Sequence, residues 1–409
     1  MKHSLATIEE AIVRIKAGNM VILIDDEDRE NEGDLIIAAE YATPEVINFM
    51  SRHGCGLICL SMAEEMIDKL QLPMMASNNK SPYGTAFTVS IEAAEGVSTG
   101  ISAYDRAHTI QTAIHPEAKP SDIISPGHIF PLRARKKGVL ERPGQTEGSV
   151  DLSKLAGLRP AAVICEIMNE DGTMSRFDDL VAFSRKHDIP LVTIKDLIEY
   201  RIKHEHLVHN EATSRLPIQG KGDFTMTVFS NELDTAEHFA LVKSPRFANQ
   251  LPLVRIHSEC LTGDVLGSCK CDCGKQLEQS LALLSAEGGV LIYLRQEGRG
   301  IGLANKLRAY ALQEMGMDTV DANHKLGLPS DKRNYDIAYQ MLKYYGIETI
   351  RLLTNNPAKI DALERYGIKV AERVALEVEP TGESLRYLQT KKEKMGHLLS
   401  IKPSEMVNF

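Results

Sequence analysis

The chain has 409 residues, 43% of them hydrophobic and 25% charged, an ordinary globular mixture that excludes wholesale disorder. At about 100–200 residues per domain, this length predicts two or three domains. Lys and Arg total 47 against 56 Asp and Glu, a net charge of −9. That balance argues against a chain wrapped around nucleic acid, although a few placed cations suffice to hold a nucleotide.

In chain order, GNMVILIDD (18–26) reads as a strand running into an acidic turn, and GLICLS (56–61) and TAFTVSI (85–91) as further strands. KHDIPLVTIKDLIEYRIK closes the first half as strand then helix, with Thr193 as N-cap, Asp196 three residues on and Leu197 opening the apolar stripe. HEHLVHNEATSRLPIQGKGD (204–223) is polar and broken by Pro217, Gly220 and Gly222. Residues 205–215 are therefore expected as a linker between domains 1–204 and 216–409, with His204, His206 and His209 solvated in it. Beyond it, QLEQSLALLSAEGG (276–289) carries Leu277, Leu281 and Leu284 at helical spacing and stops at glycines. VLIYLR (290–295) is a buried strand, followed by QEGRGIG and the helix LANKLRAYALQEMG. TIRLLTNN (349–356) is a strand before a helix opening at Pro357 and Ala358. The expected fold class is α/β to α+β, two domains, each a mixed sheet with packed helices.

The N-terminal MKHSLATIEEAIVRIKAGN has neither the apolar core nor the small-residue cleavage site of a signal peptide. No apolar run approaches the ~18 residues of a membrane span. Four of the seven cysteines (Cys260, Cys269, Cys271, Cys273) crowd into fourteen residues, which in a chain without secretory features points to metal before disulfide. The expectation is a cytoplasmic protein with metal chemistry and neither nucleic acid nor membrane as partner.

Five motifs carry candidate chemistry. DDEDRENEGD (25–34) packs seven carboxylates and one Arg into ten residues directly after a buried strand. It reads as a solvated acidic turn or as a site for a hard cation such as Mg²⁺, with Glu30 and Asp34 the pair of interest. PGHIFPLRARKKGVLERPGQTE (126–147) sets His128 among Arg133, Arg135 and Arg142 in a Gly/Pro-rich stretch suited to a sugar phosphate or to a plain surface loop. Cys260-x10-Cys271-x-Cys273 sits among Ser, Gly, Asp and Lys and reads as zinc. Three thiolates leave a fourth position open, whereas Cys269 as a fourth would close the site and make it structural; spacing admits both. RQEGRGIG (295–302), between strand and helix, can bring backbone N–H groups to phosphate, with Arg295 and Arg299 adding charge. LPSDKRNYD (328–336) puts Asp331 and Arg333 two apart in a polar loop.

Taken together, these residues resemble a known family: riboflavin-biosynthesis enzymes that fuse 3,4-dihydroxy-2-butanone-4-phosphate synthase to GTP cyclohydrolase II. RIHSECLTGD, CDCG, RQEGRGIGL, DANHKLG, DKRNYD and RLLTNNPAK resemble GTP cyclohydrolase II. The resemblance implies zinc on Cys260, Cys271 and Cys273, with Cys269 a neighbour. It implies GTP on Arg255, Ile256, His257, Ser258, Glu259, Gln276, Glu297, Gly298, Arg299, Thr319, Thr354 and Lys359. Asp331 matches the proton acceptor, Arg333 the nucleophile toward the α-phosphate, and Tyr310 a supporting tyrosine. The implied reaction opens the guanine imidazole ring and releases formate and pyrophosphate, with cations and Mg²⁺ matching the triphosphate charge.

DDEDRENEGD and VICEIMNEDGTMSR resemble the synthase, which converts ribulose 5-phosphate to a four-carbon phosphate and formate. The resemblance implies Arg29, Glu30, Asp34, Arg142, Thr146 and Glu166 as substrate contacts, His128 and Glu166 as essential positions, Glu30 as a Mg²⁺ ligand, and a homodimer. One position departs. The family reads R-x-G-H-T-E, its His the second metal ligand, and here the stretch is Arg142-Pro-Gly-Gln145-Thr-Glu147. A Gln carbonyl suits a hard cation but cannot titrate near neutral pH. The synthase activity is therefore expected to be severely reduced or absent. The alternatives are a fully bifunctional enzyme and, from another class, a zinc-stabilised binding module in which Asp331 and Arg333 would be idle.

Overall fold

The computed structural model describes residues 5–243, 251–329, 331–379 and 382–400, with the backbone alone for 319, 320, 383–387, 390 and 395. By its contacts the chain divides into two compact units between Arg201 and Ile202.

The first unit is organised by short, wholly apolar strands. β1 (Val21–Ile24), β2 (Gly33–Ala38), β3 (Cys59–Met62), β4 (Ile91–Ala93), β5 (Ile123–Arg133), β6 (Ala161–Glu166) and β7 (Leu191–Thr193) form a seven-stranded mixed sheet in the order β4-β5-β3-β6-β2-β1-β7. The alternation along its central strands shows why they read as continuous apolar runs. Ile22, Ile24, Leu35 and Ile37 join one core, while Val21, Leu23, Ile36 and Ala38 join another on the opposite face. Both faces are thus covered, one by the helix Ala103–Ala113 and its neighbours and the other by helices Ile8–Lys16 and Gln145–Leu155.

TAFTVSI differs from expectation. Only Ile91 enters a strand, and the rest makes isolated bridges, Met74 to Thr88 and Phe87 to Leu132. Pro131 of β5 has no N–H to continue a ladder, and its carbonyl accepts both the backbone N–H and the hydroxyl of Thr88. Thr193 is the expected cap: its Oγ1 accepts the Asp196 N–H at 3.0 Å where β7 turns into the helix Ile194–His204.

The second unit holds β8 (Val208–Ile218), β9 (Gly222–Asn231), β10 (His238–Lys243), β11 (Leu253–Ser258), β12 (Gly289–Leu294), β13 (Thr349–Leu353) and β14 (Lys369–Val374), ordered β14-β13-β11-β12-β10-β9-β8. β11 runs parallel to β12 and β13, whereas β8, β9, β10 and β12 pair antiparallel. The segment expected as a linker contributes residues 208–215 to β8, a sheet-edge strand paired along its length with β9. Its side chains are almost all exposed, so an edge strand here carries the composition of a linker. Leu277, Leu281 and Leu284 of the helix Cys273–Glu287 pack on the core of this sheet, as their spacing predicts. Among the described residues no helix is long and apolar enough to cross a membrane. Two mixed sheets with packed helices are the expected fold class.

Candidate active sites

In the first unit the acidic turn folds around its single Arg. Asp25, at the end of β1, accepts the backbone N–H groups of Glu30 at 3.0 Å and Glu32 at 2.8 Å, which closes the turn. One guanidinium nitrogen of Arg29 then donates to Asp25 (2.6 Å), Glu30 (2.8 Å) and the Gln145 carbonyl oxygen (3.1 Å). The Gln145 amide nitrogen in turn donates to the Glu32 carbonyl at 3.2 Å. Gln145 opens the buried helix Gln145–Leu155 directly after Gly144. A Cβ at Gly144 would lie 2.4 Å from the Arg142 guanidinium and 3.0 Å from that of Arg29, so a side chain here would push both arginines from their present places. Arg142 is held by Glu147 at 2.6 Å, by the Thr85 hydroxyl and by the Tyr83 carbonyl, and Thr146 is buried beside it.

In this arrangement the expected divalent-cation ligands are engaged by a protein cation. The two residues expected to ligate it, Glu30 and Gln145, share one Arg29 nitrogen as their hydrogen-bond donor. A positive group thus faces both of them.

Asp34 and Glu166 sit opposite each other across the β2–β6 ladder. Burial, and then the neighbouring Glu166 and Glu30 charges, push Asp34 well above the usual carboxylate range. Burial also raises Glu166, although its carboxylate accepts the Leu57 N–H at 2.8 Å. His128 belongs to a different set of contacts. Its Nδ1 lies 2.6 Å from Glu92, whose other oxygen accepts the Thr109 hydroxyl at 3.2 Å. Among the described residues no hydrogen bond joins this group to the Arg29 cluster.

In the second unit Cys260 follows β11, Cys271 lies in the next loop and Cys273 opens the helix Cys273–Glu287. Their three sulfurs lie within 4.8 Å of one another, Cys260 and Cys271 at 3.6 Å. Tetrahedral zinc with bonds near 2.3 Å would set its sulfurs ~3.8 Å apart. A Cβ on Gly263 would come within 2.9 Å of the Cys271 sulfur and 3.2 Å of the Cys260 sulfur, so the backbone there is cut to the size of the cluster. The donor set and its spacing fit zinc. Cys269 is exposed and is not one of the three. Hydrogen bonds from Cys271 and Cys273, and then the Lys306 ammonium, hold the Cys260 thiol low.

The thiols open onto a cleft with about 1110 Å³ of empty space, continuous with solvent. Arg255, His257, Ser258, Glu259, Gln276, Glu297, Gly298, Arg299, Tyr310, Arg333, Thr354 and Lys359 line it together. Ile256 contributes its carbonyl, which accepts Lys359 Nζ at 2.7 Å. The side chain of Thr319 lies outside the described residues. Arg255 is fully buried, donates to the Gln276 side chain (2.8 Å) and the Leu353 carbonyl (3.0 Å), and is lowered to about 10 by burial. Burial and then Arg255, Arg333 and Lys391 push Lys359 well below its ordinary value. So many cations against one another mark a site for an anion. Arg299 sits in the left-handed region at φ 62° between two glycines that share it, a strained turn whose Gly298, Gly300 and Gly302 N–H groups are held by Glu297 and Gln296.

Asp331 and Arg333 form a two-pronged pair, Nε to Oδ1 at 2.9 Å and NH2 to Oδ2 at 2.5 Å. Burial acts to raise Asp331, but the Arg333 hydrogen bonds and charge prevail and hold it below its ordinary value. Tyr310 is raised to about 12, chiefly by burial.

Sequence reasoning missed four residues that organise these sites. Glu92 comes to His128 through strand pairing, which no local pattern signals. Asp264 accepts from His257 (3.0 Å), Tyr293 (2.8 Å) and the Cys260 N–H (3.0 Å); it stood inside RIHSECLTGD without being singled out. Asp25 stood unseparated within the acidic run. Lys306 reaches the Cys260 sulfur at 3.1 Å and Glu297 at 2.8 Å, and its spacing of four from Tyr310 on one helix was the available signal.

Comparison with known proteins agrees with the division of the chain. The 3,4-dihydroxy-2-butanone 4-phosphate synthase family matches residues 9–200 and the GTP cyclohydrolase II family residues 209–375. The riboflavin biosynthesis protein RibBA of Bacillus mycoides is 55% identical over 96% of this chain and 99% of its own length. That of Aquifex aeolicus is 54% identical over 96% and 97%. The crystal structure of RibBX, a two-domain 3,4-dihydroxy-2-butanone 4-phosphate synthase from A. baumannii, superposes with a TM-score of 0.68 at 37% identity, covering 91% of this chain and all of that one. The chain belongs to the RibBA family of bifunctional riboflavin-biosynthesis proteins, with a synthase domain followed by a GTP cyclohydrolase II domain.

Proposed function

We propose that the chain is a working zinc-dependent GTP cyclohydrolase II whose synthase domain is impaired. The observation that carries the first half is one cleft holding three clustered thiols at one place and the buried cations Arg255 and Lys359 at another. A guanine nucleotide needs both: a Lewis acid for ring opening and positive charge for its triphosphate.

Cys260, Cys271 and Cys273 would hold the zinc, which supplies Lewis acidity at an open fourth position when bound. Arg255, Lys359 and Arg299 bind and orient the phosphates. Arg333 acts at the α-phosphate, and a proton leaving its guanidinium has Asp331 at hand as acceptor. Formate and pyrophosphate are the small products.

The second half rests on Arg29 lying between Glu30 and Gln145. The synthase reaction moves protons and needs closely held metal geometry. Gln145 carries no titratable proton, and its carbonyl oxygen accepts from Arg29. The His128–Glu92 pair favours a second reading, in which the domain still turns over ribulose 5-phosphate.

Both reactions release formate, so one assay separates the readings. Purified protein is supplied with zinc and Mg²⁺ and given GTP in one tube and ribulose 5-phosphate in the other. Formate is expected from GTP alone. Formate from both tubes would establish the bifunctional reading, and none from GTP would overturn the proposal.

A further inference from the structure

Lys306 lies on the helix Leu303–Glu314 and is no part of the implied ligand or substrate set. Its ammonium makes two contacts that meet at the thiol cluster: the Cys260 sulfur at 3.1 Å and the Glu297 carboxylate at 2.8 Å. The other oxygen of Glu297 accepts the N–H of Leu261, the residue after Cys260, at 2.6 Å. The Gly298 N–H also falls on Glu297, at 2.6 Å. Glu297 and Lys306 are almost equally buried, their side chains 12% and 11% exposed. Cys260 is thus gripped twice, through its sulfur by the ammonium and through the following backbone N–H by the carboxylate.

We infer that Lys306, seated by Glu297, is a positioning residue of the three-thiolate metal centre, donating a charge-assisted hydrogen bond to the Cys260 sulfur. A thiolate that accepts such a bond gives less electron density to its metal. The pair also fixes where that sulfur points, which matters most in a site with one coordination position left open. Because Glu297 belongs to the turn that carries Arg299, the same contacts tie the phosphate-facing turn to the metal ligand. Most of the Glu297 carboxylate is therefore engaged with the protein rather than offered to substrate.

The test uses the full chain and its Lys306→Met and Lys306→Arg variants. Zinc affinity is read by competition with a chromogenic chelator, and the cobalt-substituted proteins are compared by their thiolate-to-cobalt absorption. Lys306→Met is expected to weaken zinc roughly 10–100-fold, because losing the cation's charge beside three thiolates and the fixed place of the sulfur outweighs the gain in donation. It should move the absorption band to lower energy and lower kcat for GTP while leaving KM in place. Lys306→Arg, which can still donate, should restore part of each. Unchanged affinity with an unmoved band would overturn the inference, as would a rise in KM without either change. Should Lys306→Met fail to fold, Glu297→Gln carries the same test: it withdraws the charge that seats the ammonium, and an unmoved band would count against the clamp. The kinetic arm rests on the cyclohydrolase reading. The affinity and the spectrum do not, so a protein that released no formate from GTP would fail that reading and still test this one.

Discussion

The two units set a cation beside an expected metal ligand in opposite ways. In the second, Lys306 approaches one sulfur from outside the cluster and leaves the three sulfurs together. In the first, an Arg29 nitrogen lies between Glu30 and Gln145 and takes up both. The same physical contact, a cation's hydrogen bond to an expected ligand atom, leaves a three-sulfur cluster intact in one place and engages both expected ligands in the other. What differs is the side chain facing the cation. Two of the three sulfurs stay clear of Lys306, whereas Glu30 and Gln145 each turn an oxygen to Arg29.

The most forceful way to break this comparison is to remove a thiol. Cys260→Ala is expected to abolish stoichiometric zinc and to cut formate release from GTP by more than the roughly 100-fold that losing an outer partner costs. Metal analysis with the formate assay checks both, and retained zinc would mean that the three-sulfur site is not the metal centre.

Gln145→His acts on the other side. A histidine there regains an imidazole, and its neighbour Arg29 disfavours the protonated form. Turnover of ribulose 5-phosphate to formate should rise by roughly 100-fold or more, the lower range of general acid–base contributions. No rise would show that Gln145 is not what limits the domain.

Arg29→Met tests whether the guanidinium is an integral part of the turn. Asp25 has a fully buried side chain and Arg29 is 11% exposed, and breaking a buried pair leaves a charge uncompensated. The expected loss is about 3 kcal/mol, at the low end for such pairs because Asp25 keeps two backbone N–H donors. Urea unfolding followed by a probe in the N-terminal unit measures it, and a loss near zero would mean the contact is dispensable.

The smallest effect is on pH dependence. Asp34 is raised in the folded protein, so the native state binds its proton more tightly than the unfolded chain does. Its stabilising share is present below the ordinary Asp value and is lost as pH rises from there through the raised value. Asp34→Asn should flatten the fall in N-terminal stability over that window. An unaltered slope would shift the assignment to Glu166, its partner across the ladder.

Much of this was legible in the sequence because the signals were local. Three cysteines at a tight spacing, Leu277, Leu281 and Leu284 on one helical face, and Thr193 with Asp196 at a helix start each depend on residues close in the chain. Illegible parts were those that depend on strand neighbours. The β8 edge strand carries linker composition because both its faces meet solvent, and TAFTVSI has strand alternation but meets a proline in its neighbour. Glu92 and Asp34 acquire their partners only when β5 and β6 arrive beside β4 and β2.

The sequence by itself determined the residue types: the thiols, the acidic run, the glycines of the turn at 298–302 and the glutamine at 145. Only the tertiary structure decided what those residues face. Which carboxylates of the acidic run hold Arg29, that Arg29 meets Gln145, and that Lys306 meets Cys260 are all matters of separations of 2.6–3.1 Å between groups up to 116 residues apart. The long-range ones are set by how sheets and helices pack, and no spacing along the chain encodes them; only Asp25 and Glu30 lie near Arg29 in the chain.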